Sequence, residues 1–186
     1  MSETQKKALT FTGVLIVFWG VLGNIYLIGN AIWRLTPLAI EPIEKNMLST
    51  WHWIVYITWC IMNAYMEGYK GFQKSFSPQL VERALYLGRN PTLGRVIFAP
   101  LFCMGLFHAT KRRLIVSWCV LLGVISLIIL IRMLSQPWRG IIDAGVVIGL
   151  GLGLLSILYC LFRGLTGNPI PVRNSIPELE PAKEAE

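Results

Sequence analysis

From Ala8 to Trp33 the chain runs for twenty-six residues without a charged side chain, and from Leu114 to Ile131 for another eighteen. A helix needs about twenty apolar residues to cross a hydrocarbon core about 30 Å thick, and it satisfies its own backbone amides where no water can. Runs of this length therefore direct the chain into a bilayer. Composition agrees: with 54% hydrophobic and 15% charged residues, a chain of 186 has too little polar material to cover a water-soluble globule. The first run is longer than the apolar region of a signal peptide and no small-residue cleavage site follows, so it is expected to remain as a span.

The expected fold is an all-α integral membrane protein of four transmembrane helices in two hairpins. The spans are placed at about 9–33, 50–69, 114–134 and 142–162, within a membrane domain covering 1–165. Residues 96–110 form a fifth apolar stretch, with Pro100 in its interior and only fifteen uncharged residues, too few to cross. Segment 91–112 is accordingly expected to be re-entrant or interfacial.

Charge decides the orientation, because lysine and arginine accumulate in cytoplasmic loops. If 96–110 does not cross and the N-terminus is inside, thirteen of the 17 cations are cytoplasmic and four are outside; if it crosses, the split is nine against eight. The non-crossing arrangement, with both termini cytoplasmic and the membrane of the bacterial inner type, follows. Trp33, Trp51, Trp53 and Trp138 then fall at outer ends of spans, where tryptophan prefers to lie.

Between the spans, the outer loop 34–49 carries Pro37 and Pro42 and offers no motif. Ser77 followed by Pro78 reads as a helix start and Gly88 as a stop. Leu80, Val81, Ala84, Leu85 and Leu87 gather opposite Gln79, Glu82 and Arg83, so 77–88 is expected as an amphipathic helix on the bilayer surface. Lys70, Lys74, Arg89, Arg95, Lys111, Arg112 and Arg113, with Arg83, would form a basic collar contacting anionic lipid phosphates. The tail 166–186, rich in proline with an acidic end, is expected to be disordered.

Gly145, Gly149 and Gly153 recur every four residues and form a smooth stripe for close helix packing, and the face bearing Gly20 and Asn24 is its expected mate. Polar residues at membrane depth are functional candidates. Asn63 and Glu67 lie one turn apart, and His108 sits beside Lys111 and Arg112. Cys60, Cys103, Cys119 and Cys160 have neither zinc nor redox spacing, and His52 and His108 fall at opposite faces, which excludes a bis-histidine haem. No metal or cofactor is expected. The net charge of +7 belongs to the ends of apolar segments, not to a nucleic-acid surface.

The leading expectation is a non-catalytic membrane protein that works by helix packing, as a homo-oligomer or as a subunit of a larger membrane complex. Two alternatives are a small transport or channel unit using Asn24, Asn63 and Glu67, and a lipid head-group enzyme using His108 and Glu67.

Overall fold

A computed structural model describes residues 10–167, all of them in helices or the short connections between helices. The expected disordered tail beyond 167, and Lys6 and Lys7, lie outside these residues. Helix α1 spans Phe11–Glu44 and opens on Thr10, whose hydroxyl accepts from the Gly13 N–H at 3.2 Å. It does not stop near Trp33 as the hydropathy suggests, but continues through Pro37 and Pro42. Pro42 has no N–H for the Leu38 carbonyl. That carbonyl accepts instead from Gln136 Nε2 at 3.3 Å, across 98 residues of sequence, and the same nitrogen donates to Glu41 Oε2 at 2.7 Å. A distant side chain thus repairs the defect, and the expected loop 34–49 shrinks to a few residues.

The second element is one helical rod in three parts: α2 (Thr50–Asn63), a π-helical segment (Ala64–Phe76) and α3 (Ser77–Arg89). Asn63, Ala64, Phe76 and Ser77 at the joins are all right-handed helical, so nothing interrupts it. In the π-helical segment the hydrogen bonds reach five residues back. Ser77 N–H makes such a bond to Phe72, and Pro78, which has no N–H, follows it where ordinary α-helix resumes.

Helix α3 is not the surface helix expected at 77–88. Leu80, Val81, Ala84 and Leu87 are buried in one cluster with Ile16, Val17 and Val21 of α1 and Ile157, Cys160 and Leu161 of the last helix. Arg83, expected on the solvated side, is wholly buried. The amphipathic pattern is real, but its apolar face meets protein, not lipid.

Beyond a turn come two short helices, α4 (Leu93–Ile97) and α5 (Ala99–Met104), and a left-handed Gly105 at φ +78° closes α5. Then follow α6 (Lys111–Arg132) and α7 (Trp138–Leu165). Helix α7 runs parallel to the rod: Gly145 meets Trp59, Gly149 meets Glu67 and Gly153 meets Phe72. Helix α1 runs antiparallel, with Pro42 against Gly140 at one end and Val17 and Val21 in the Ile157 cluster at the other. Helices α1, α6 and α7 are each long and apolar enough to cross a membrane.

Candidate functional site

The rod and α7 approach closely because α7 presents glycine where the rod presents bulk. A Cβ on Gly145 would lie 2.5 Å from the Trp59 ring, and one on Gly153 would lie 2.6 Å from the Phe72 ring. One on Gly149 would lie 2.6 Å from Glu67 Oε2. Asn63 donates to the Trp59 carbonyl at 3.0 Å within its own helix, and Trp59 Nε1 reaches the Ile142 carbonyl at 3.4 Å. The stripe is therefore filled within the monomer, by the rod and not by the Gly20 and Asn24 face expected as its mate.

That other face holds the folded-back segment. A Cβ on Gly20 would lie 2.8 Å from Cys103 Sγ, and one on Gly23 would lie 2.5 Å from the Pro100 ring. Asn24, buried, donates through Nδ2 to its own Gly20 carbonyl at 2.8 Å and to the Pro100 carbonyl at 3.0 Å. Replacing Asn24 by leucine removes the cross-segment bond at a cost of about 1 kcal/mol, the scale of polar contacts between membrane helices. Hydrogen exchange should then quicken across 93–104 while the amides of α7 stay protected.

Arg83 pins the far end of the same segment. Its Nε donates to the Phe102 carbonyl at 2.6 Å, and its Nη2 donates to the carbonyls of Phe107 and His108 at 3.0 and 2.9 Å. The guanidinium carbon also lies 4.3 Å from the centre of the Phe102 ring. The Phe102 carbonyl, which also accepts from the Gly105 N–H at 3.0 Å, lies in the last turn of α5, where a cation complements the helix dipole, and Phe107 and His108 lie in the irregular stretch beyond it. The chain from Arg89 thus runs to the level of Asn24 and is back beside Arg83 by residue 108. His108, at φ +49°, stacks on Phe102 at 6.3 Å, whereas Glu67 faces Gly149. The two residues of the head-group enzyme reading thus belong to different interfaces. Asn24 likewise faces Pro100 while Asn63 and Glu67 face α7, so the three residues of the channel reading do not share one path.

The basic residues also separate. Arg113 turns inward, with its Nε 3.1 Å from where a Gly105 Cβ would stand, and Arg95 lies 6.0 Å from the Phe102 ring centre. The Nε of Arg89 is buried, while Lys111 and Arg112 are exposed. Lys70 and Lys74 belong to the π-helical segment, where five-residue spacing brings each over a tyrosine: Lys70 Nζ is 5.0 Å from the Tyr65 ring centre, Lys74 Nζ 4.7 Å from that of Tyr69. Between this segment and α7 lies a groove of about 240 Å³, its walls including Tyr69 and Gln73 on one side and Leu152, Leu155, Ser156 and Tyr159 on the other. Gly68 at its base approaches Leu152 so closely that a Cβ would lie 2.8 Å from Cδ1.

The sequence pointed Arg83 to the basic collar and gave no role to Gln136, because each acts on carbonyls remote in sequence. Compared with known protein families, curated proteins and solved structures, the chain matches none.

Proposed function

We propose that this integral membrane protein is a non-catalytic assembly subunit and that α6 is the helix it offers to a partner, a second copy of the chain. The observation that carries the reading is the isolation of α6. Its most apolar stretch is 6% buried, against 33% for α1 and 39% for α7. It is tethered near its start by Ser117 Oγ donating to the Met104 carbonyl at 3.1 Å and Trp118 Nε1 donating to the Leu106 carbonyl at 3.2 Å. Cys119, Gly123 and Ser126, all exposed, follow one another at helical spacing, and a Cβ on Gly123 would meet nothing within 4 Å. Association in lipid depends on close packing at small residues, and identical stripes are self-complementary about a two-fold axis.

In this reading the rod supplies a fourth crossing beside α7, and Arg89 and Lys111 share the cytoplasmic side with both termini. Contact with anionic lipid at the inner leaflet accompanies the assembly role. Cys119 gives a direct test, because it is exposed while the other three cysteines are buried. Mild oxidation of intact membranes should yield a covalent dimer, absent in Cys119→Ser and weakened in Gly123→Leu. A chain that remains monomeric under oxidation and in native mass spectrometry contradicts the proposal.

A further inference from the structure

We infer that the face of the rod bearing Lys70 and Lys74 is an interface for a membrane helix of a different protein, one that carries a carboxyl group at mid-bilayer depth. The inference rests on the rod crossing beside α7, but not on association through α6. Depth is set by the contacts with α7, whose residues 144–162 carry no charge. Gly68 meets Leu152 and Phe72 meets Gly153, at the middle of that run. Lys70 lies between Gly68 and Phe72, level with a point about 14 Å along α7 from either end of the run, and Lys74 follows within one turn.

The two lysines form one patch. Tyr65 and Tyr69 stack with ring centres 5.8 Å apart; Lys70 Nζ lies 5.0 Å from the first centre and Lys74 Nζ 4.7 Å from the second. Each ring comes five residues before its lysine, so both ammonium groups turn toward the outer end of the rod and away from Arg89. They do not snorkel toward inner-leaflet phosphates. Both lysines and both tyrosines are exposed, and among the described residues neither ammonium meets a carboxylate.

Charges at membrane depth face protein or water and pair with one another, because acyl chains cannot solvate them. A carboxyl group on an adjoining helix accepts from both ammonium groups. The described residues do not supply it. Glu41, Glu44 and Asp143 lie toward the outer end, Glu82 lies beside Arg83, and Glu67 faces Gly149 of its own α7. The glutamates beyond residue 167 follow the inner end of α7. The complementary group therefore belongs to a different protein.

The test places the full-length protein in phosphatidylcholine vesicles with a synthetic transmembrane peptide, a leucine helix bearing one central glutamate, and reads association by fluorescence energy transfer. The glutamate helix should bind roughly tenfold or more tightly than an all-leucine helix, and a helix with a central lysine should gain nothing. Lys70→Gln with Lys74→Gln should abolish the preference. Lys111→Gln with Arg112→Gln should leave it intact, as should Gly123→Leu on α6, and an unaltered melting temperature shows that each variant is folded. Lys74→Cys, in a chain whose native cysteines are replaced, should resist a membrane-impermeant maleimide from both sides. Equal binding of the glutamate and leucine helices, a preference that survives the Lys70 and Lys74 substitutions, or its loss in either control variant would overturn the inference. So would its disappearance when phosphatidylglycerol is added, which would assign the lysines to lipid phosphate, or rapid maleimide reaction at position 74, which would place them in water.

Discussion

Replacing Arg83 by methionine should destabilise the protein by about 3–5 kcal/mol, because hydrogen bonds from a charged donor are worth about 1.5–3 kcal/mol each and three are lost together. The methionine keeps much of the packing volume but donates nothing. The carbonyls of Phe102, Phe107 and His108, which accept from Arg83 at 2.6, 3.0 and 2.9 Å, then lose a donor in a place where Arg83 itself is wholly buried. Arg83→Lys should recover only part of the loss, because one ammonium cannot reproduce a planar fork bonding through two nitrogens. The measurement is a thermal melt in detergent paired with limited proteolysis. Arg83→Met should lower the midpoint and expose 105–110 to cleavage before the rest of the chain opens.

The second large effect separates glycines of one helix. Gly145→Val should destabilise by about 1–3 kcal/mol or more, because its Cβ would stand 2.5 Å from a Trp59 ring already placed by its bond to the Ile142 carbonyl. Gly153→Val meets the Phe72 ring at 2.6 Å and should behave alike. Gly151→Ala, two residues from Gly153 on the same helix, has nothing within 4 Å of its Cβ. It should be neutral or stabilising by up to about 1 kcal/mol, since alanine is the better helix former. Gly149→Ala should fall between these, because its nearest obstacle is the end of the Glu67 side chain, which can swing aside. Melting temperatures of the four variants, measured in one detergent, order the series. A stripe that instead served only contacts between copies would leave Gly145→Val with a normal monomer melt.

The helical, membrane-directed character of the chain was legible because apolar length is a local property. The uncharged runs ending at Trp33 and Ile131 marked α1 and α6 directly, and the glycines at 145, 149 and 153 marked a face of close approach. Which partner that face meets was not legible, because any bulky helix can fill a smooth stripe. The rod met it, while the Gly20 face took Pro100 and Cys103. The extension of α1 was hidden for a related reason: proline argues locally for an end, and only Gln136, far along the sequence, makes the Leu38 carbonyl tolerable inside a helix. Helix α3 shows the same limit. A periodic apolar face identifies a helix with one side to bury, yet it does not distinguish a bilayer surface from the flank of α1. The π-helical segment had no signature in composition; its five-residue register emerges only in the lysine and tyrosine pairs.

The account depends most on the fold-back of residues 90–110, held at its turn by Asn24 and at its return by Arg83. Single cysteines at positions 89 and 111, in a chain whose native cysteines are replaced by serine or alanine, can be labelled with a membrane-impermeant maleimide in sealed vesicles of known orientation. The account predicts that both positions react from one side of the membrane. Reaction of 89 and 111 from opposite sides would mean that the segment crosses, and would contradict it.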